Sequence, residues 1–396
     1  MERPTLELAD IFRTHGAVYR QTHALPRAQL RLMRAIELCR TAALGGHVRK
    51  CGHCSHQQIA YNSCRNRHCP KCQGRERAQW VAQRTADLLP VEYFHVVFTI
   101  PEHLAPLALQ NKRVVYGILL RAAAETLLTI ARDPKHLGAE IGFFAVLHTW
   151  GQKLLHHPHV HCVVPGGGIA VGENRWVSCL PGFFLPVRVL SRLFRRLFVE
   201  ALQSAFAKGD LEFHGELRTW GEACCFQTLL DRARQSEWVV YAKPPFGGPR
   251  QALEYLGRYS HRVAISNERL LAQTESTVTF GWKDYRQPHR KKTMTLAGEE
   301  FVRRFLLHTL PDKFPRIRHY GWLSNRSRKQ KLALCRSLLD NSITALLPRL
   351  TEEFRGWSEA LLAEKDWRCP RCGTGVLEII EVLAPQRYVP QGIDSS

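Results

Sequence analysis

Nowhere in the chain does an apolar run reach the 18 or so residues that a membrane-spanning helix requires, so no such span is expected. The opening stretch, MERPTLELADIF, mixes acidic and apolar side chains and lacks the layout of an export signal, so a cytoplasmic location is expected. No internal repeat and no long low-complexity tract is present, which argues against a solenoid or a linker-dominated protein. Acidic side chains are scarce: 35 Asp and Glu stand against 56 Lys and Arg, a net charge of +21. A deficit of that size calls for a polyanionic partner. The basic residues run along the whole length instead of forming one amphipathic helix, which favours nucleic acid over a membrane surface. Charge alone leaves open a basic soluble protein with no specific partner.

What is present is a chain of 396 residues, 45% of them hydrophobic, enough for two or three modules with real cores. Two helices are expected between about Thr5 and Leu44, the second stopped by Gly45 and Gly46. A Cys/His-rich segment follows, then a helix from Gln73 to Leu89 that ends at Pro90. FHVVFTI (Phe94–Ile100), GFFAVLHTW (Gly142–Trp150), HVHCVVPGGG (His159–Gly168) and WVVYA (Trp238–Ala242) read as strands, and RVAIS, TVTFGW and KKTMTL as shorter ones. Long helices are expected over Asn111–Arg132 and Leu185–Lys208, with shorter ones near Arg250–Tyr259 and Glu299–Leu310. The predicted class is α+β, divided into an N-terminal zinc-binding region (1–90), a central catalytic region (91–310) and a basic helical C-terminal region (311–396).

Thirteen cysteines without an export signal point to metal binding in a reducing compartment, not to disulfides. Cys51-Gly-His-Cys54 and Cys69-Pro-Lys-Cys72 are two CxxC pairs separated by 14 residues. Two such knuckles make a closed tetrahedral site for structural Zn²⁺, with ligands Cys51, Cys54, Cys69 and Cys72. Cys64 and His68 lie in the same segment and are alternative ligands. Arg65, Arg67 and Lys71 flank the cysteines as candidate phosphate contacts, or as a solvated basic face. A single CxxC, Cys369 and Cys372, stands in the tail, where Cys335, His308 and His319 are candidate partners for a second zinc.

His159-Val160-His161 lies on an apolar strand, where residues two apart share a face. Both imidazoles can therefore meet one divalent ion. Gln152 is the first choice for a third ligand, with His148 and His156 as alternatives. Such a mixed nitrogen and oxygen set suits Mg²⁺ or Mn²⁺ bound to a phosphate. Downstream, Tyr255 and Tyr259 stand four apart on an expected helix and share a face. Each hydroxyl is a candidate nucleophile toward a phosphodiester, with Arg258, His261 and Arg262 supplying positive charge.

The stretches CRNRHCPKCQ, FTIPEHL, WGQKLLHHPHVHCVVPGGG, AKPPFGGP, YLGRYSHRVAISN and YGWLSNR together resemble the HUH endonuclease superfamily. More narrowly, they resemble the two-tyrosine rolling-circle transposases of bacterial insertion sequences, the IS91 family, over about Cys51 to Arg326. The resemblance implies an antiparallel central sheet with the histidines on an inner strand and a tyrosine helix across it. It implies a bacterial, nucleoid-associated enzyme that cuts and rejoins single-stranded DNA at element ends through 5′-phosphotyrosine, with no need for ATP. A replication initiator of the same chemistry is one alternative. A non-catalytic zinc-dependent DNA-binding regulator is another.

Overall fold

A computed structural model describes residues 6–85, 87–243, 264–284, 287, 291–339 and 368–386. The expected helix carrying Tyr255 and Tyr259, together with Arg258, His261 and Arg262, lies outside the described residues. The described strands in chain order are β1 (Gly46–Cys51), β2 (Gln57–Tyr61), β3 (Tyr93–Thr99), β4 (Ala139–Glu140), β5 (Gly142–Trp150), β6 (His156–Pro165) and β7 (Gly167–Ala170). They continue with β8 (Trp176–Ser178), β9 (Val240–Lys243), β10 (Leu270–Gln273), β11 (Thr277–Lys283), β12 (Lys291–Ala297), β13 (Ile317–Gly321) and β14 (Leu377–Leu383). The helices are α1 (Leu8–Thr22), α2 (Arg27–Glu37), α3 (Pro70–Thr85), α4 (Ala105–Gln110), α5 (Lys112–Arg132), α6 (Val187–Ala207), α7 (Ala223–Gln235), α8 (Gly298–Leu307) and α9 (Arg328–Leu338). The class is α+β with antiparallel sheets throughout, as expected.

The chain divides into two units that do not follow the expected three consecutive blocks. One comprises Met1–Gln79, His261–Thr309 and Gly356–Ser396, and the other Trp80–Ser260 and Leu310–Arg355. Strand pairing between distant segments is the physical reason, since β1 pairs with β14 and β5 with β13.

In the second unit a five-stranded sheet has the order β13-β5-β6-β3-β9. Alternation along its strands separates two faces. Phe94, Val96 and Phe98 of β3, Phe143, Ala145 and Leu147 of β5, and Val160, Cys162 and Val164 of β6 all turn to one side. There they pack with Leu119, Leu127, Phe194, Phe198 and Leu230 of α5, α6 and α7. Burial of each such side chain contributes about 1.5–3 kcal/mol relative to exposure. Among the described residues α5 is the one helix long and apolar enough to cross a membrane, and it is the buried core helix of this unit. The strand β13 falls in a stretch that reads as merely basic. It is an edge strand, and its Arg318 lays the guanidinium 5.2 Å from the Phe314 ring centroid. Its end is fixed by Gly321, at φ 59°, where a Cβ would collide with the Ile141 carbonyl oxygen.

In the first unit α1 and α8 pack through Phe12 and Phe305, whose rings meet edge to face at 5.5 Å. The sheet β10-β11-β12 is a meander; the described residues of the expected RVAIS strand, 264–266, form no strand, and β10 begins at Leu270. A second three-stranded sheet, β14-β1-β2, joins an early segment of the chain to a late one.

Candidate metal centres and nucleic-acid face

On the face of the five-stranded sheet opposite α5 and α6, β6 is the central strand and presents His159 and His161. His148 of β5 stands directly across from His159 in the register, so three imidazoles converge. Their nearest ligand nitrogens all lie within 4.8 Å of one another. The ring centroids are 4.3 Å apart for His148 and His161 and 4.8 Å apart for His159 and His161. Hydrogen bonds hold two of the rings in place. His159 Nδ1 donates to the His157 carbonyl at 2.7 Å, which makes Nε2 the acceptor nitrogen when the ring is neutral. His161 Nδ1 lies 2.7 Å from Nε2 of His95, a buried ring on β3 that is parallel to it. Burial changes along the face: His95, His148 and His161 are buried, whereas His159 is half-buried. Tyr241 of β9 pairs with Val97, which pairs with His161, so the tyrosine lies in the same cross-strand row. It is 52% exposed. His156 instead meets α5 on the helical side, where its Nε2 lies 2.8 Å from the Tyr116 hydroxyl, and burial, aided by Lys112, pushes its pKa down to about 3.

The cysteines of the first unit form two groups of four. Cys39, Cys64, Cys69 and Cys72 make one, and Cys51, Cys54, Cys369 and Cys372 the other. In the first, sulfur separations are 3.6 Å (Cys39–Cys72), 3.5 Å (Cys64–Cys72) and 3.7 Å (Cys39–Cys69). A tetrahedral zinc with bonds of about 2.3 Å has sulfur–sulfur edges of about 3.8 Å, against about 2.05 Å in a disulfide. The spacings fit a metal, and all these thiols are free. Cys69 and Cys72 flank the start of α3, where the helix N-terminus favours thiolate.

A third feature lies on the helical side of the second unit. A cavity of about 720 Å³ between α5, α6 and α7 has an apolar floor that includes Ile130 and Leu193. Its rim carries Arg192, Arg195, Arg196 and Arg234. Three of these arginines come from α6, at spacings of three and four that place them on one side of the helix.

Comparison with known proteins bears on all three features. A family model described as "Transposase zinc-binding domain" matches residues 11–100, and one described as "Putative transposase" matches residues 142–331. A protein of Sinorhizobium fredii named "Putative transposase y4qJ" is 57% identical over 400 residues, covering the whole of both chains. The chain is a transposase of the IS91 family. The "Transposase for insertion sequence element IS801" of Pseudomonas savastanoi pv. phaseolicola is 29% identical over 85% of this chain and 79% of that one. No solved structure matches. The transposase is thus a DNA-processing enzyme with DNA as its partner, and its cysteine groups and zinc-binding domain support structural zinc.

Set against the sequence expectations, the transposase regroups the zinc ligands. The expected foursome of Cys51, Cys54, Cys69 and Cys72 is not brought together; each pair belongs to a different group. The reason is the chain path. Cys51 ends β1, whose neighbour β14 follows the Cys369 turn, whereas Cys69 and Cys72 at the start of α3 meet Cys39 and Cys64. Cys335, His308 and His319 are likewise not the partners of Cys369 and Cys372. Sequence reading missed Cys39, which sits in no motif, and held Cys64 only as an alternative. Arg65 is exposed and Arg67 half-buried, whereas Lys71 Nζ is paired with Glu7 at 2.6 Å. Gln152 lies in the turn between β5 and β6, and the third imidazole of the sheet group is His148.

Proposed function

We propose that this transposase cleaves and rejoins single-stranded DNA at insertion-sequence ends by a rolling-circle route, with Tyr255 and Tyr259 as nucleophiles. The observation that carries the proposal is the convergence of His148, His159 and His161 on one face of the central sheet. In this reading His159 and His161 hold a divalent ion, and His148 takes the place first expected for Gln152. Three imidazoles suit Mn²⁺ better than Mg²⁺, which prefers oxygen ligands. When bound, the ion supplies Lewis-acid polarisation of the scissile phosphate.

The chain's own groups do the rest. A tyrosine oxygen bonds to phosphorus as the P–O3′ bond breaks, and the departing 3′ oxygen ends protonated as a free hydroxyl. The phosphodiester energy is kept in the 5′-phosphotyrosine, so rejoining by a 3′ hydroxyl needs no ATP. Arg258 and Arg262 offset phenolate and phosphate charge, while Arg65 and Arg67 meet phosphates elsewhere along the strand. Tyr241, about 10 Å from His161 across two strand spacings, offers an exposed ring for base stacking. The arginine-rimmed groove takes further backbone phosphates.

Single-stranded oligonucleotides carrying the element ends, labelled on either side of the cut and supplied with Mn²⁺, test the reading. A covalent protein–DNA adduct is expected, and it is lost when Tyr255 and Tyr259 are both changed to Phe. An adduct that survives the double change removes the tyrosines from the mechanism. Tight binding with no adduct under any divalent ion favours a DNA-binding regulator instead.

A further inference from the structure

We propose that Cys51, Cys54, Cys369 and Cys372 form a second structural zinc site, a closed tetrathiolate that fastens a late segment of the chain to an early one. The four sulfurs gather within 4.8 Å, with separations of 3.8 Å for Cys51–Cys372 and 3.5 Å for Cys54–Cys369. Those are the edges of a ZnS₄ tetrahedron, not disulfide lengths.

The two turns that carry the sulfurs are built alike. The amide four residues past the first cysteine returns to that cysteine's carbonyl in both: Ser55 N to Cys51 O at 3.2 Å, and Gly373 N to Cys369 O at 2.9 Å. The donating residue has a left-handed backbone in both, with φ 54° at Ser55 and 69° at Gly373. Amides point at the sulfurs as they do at thiolates. His53 N and Cys54 N each lie 3.4 Å from Cys51 Sγ, and Gly375 N lies 3.3 Å from Cys372 Sγ. Gly375 is pressed so close that a Cβ there would stand 2.4 Å from Cys51 Sγ.

The packing makes the metal necessary. Among the described residues the core beneath β14-β1-β2 is Cys51, Cys369 and Leu377, with Cys54 and Cys372 half-buried against them. Ile59, Ile379, Ile380 and Val382 of the same sheet are exposed. One leucine cannot hold three strands together against chain entropy, and a metal is the usual substitute for a missing core. With four thiolates the site has no open position, so its role is to hold structure and not to activate water. Half of its ligands lie beyond residues 11–100, where the zinc-binding family model matches, whereas Cys39, Cys64, Cys69 and Cys72 all lie within it.

Zinc content of the full-length protein tests the proposal, measured in a His161→Ala background that removes the imidazole group as a source of counted ion. Two zinc ions per chain are expected, falling to one in Cys369→Ser/Cys372→Ser and to one in Cys64→Ser/Cys69→Ser. Cys372→His, which keeps a ligand, is expected to retain two ions and to shift the visible bands of the cobalt-substituted protein, and it answers the question if the serine variant is insoluble. A single zinc in the parent, two in Cys369→Ser/Cys372→Ser, or a cobalt spectrum unmoved by Cys372→His overturns it.

Discussion

Cys39, Cys64, Cys69 and Cys72 surround a point with four sulfurs, whereas His148, His159 and His161 offer three nitrogens along one side of a sheet. The sulfur group is gathered from a helix end, a loop and the start of α3, elements with no ladder of their own to align them. The imidazoles stand on two strands already fixed by backbone pairing and by a large apolar core on the far face. On the proposed reading the sulfur group depends on an ion to hold it together, whereas the imidazoles are placed by the sheet itself. Structural zinc and the proposed divalent ion thus differ in how much of the site the fold supplies beforehand.

The largest effect should come from the sulfur side. Apparent zinc binding in small zinc modules is worth about 10–16 kcal/mol, so Cys64→Ser/Cys69→Ser is expected to abolish protease resistance of the segment around residues 39–72. Adduct formation by His161→Ala comes next: a fall on the order of 10³-fold or more is expected, with the thermal transition preserved. Equal losses of folding in both variants would erase the distinction. Mild chelation followed by add-back sharpens it further. Activity should return at Mn²⁺ concentrations about tenfold or more below those needed of Mg²⁺, while the sulfur-bound zinc stays in place throughout.

Acid should act on the sheet unit in a smaller way. Burial, with Arg84 and Arg328 adding to it, pushes the His319 pKa down to about 4 from 6.5. The unfolded chain therefore binds more protons than the folded one between those values. The associated stability is complete above pH 6.5 and is lost as pH falls toward 4. His319→Gln should flatten that part of the curve of melting temperature against pH, and an unchanged slope would refute the assignment. Smallest of all, Arg192→Ala/Arg196→Ala should weaken DNA binding a few-fold and lower the salt-dependence slope by about 2. Adduct chemistry on bound DNA should be untouched.

Legibility from sequence followed the same division. The histidine pair was readable because strand parity is local: His159 and His161 share a face whatever the rest of the sheet does. The core strands β3 and β5 were readable as short apolar runs, FHVVFTI closed by Pro101 and GFFAVLHTW, and the long helices α5 and α6 from their period. The cysteine partners were not readable, because a CxxC pair states that two sulfurs point together and says nothing about which other pair they meet. Cys39 follows α2 with no motif around it, and Cys369 is joined to Cys54 only through a strand register set more than 300 residues away. The helix α7 and the edge strand β13 were hidden by mixed and basic composition, since α7 buries only a narrow apolar stripe and every residue of β13 is half-buried.

The pairing of β1 with β14 also sets a schedule for biosynthesis. Cys51 leaves the ribosome 321 residues before Cys372, a wait of about 15–65 s at roughly 5–20 residues per second. During that interval β1 and β2 have neither their third strand nor half of their sulfur ligands. A chain cut short by a nonsense codon or a nick in its message never completes this sheet. A transposase built this way completes this sheet only after Leu383 has been translated, so that a copy truncated before it is marked by its own unfinished ribbon.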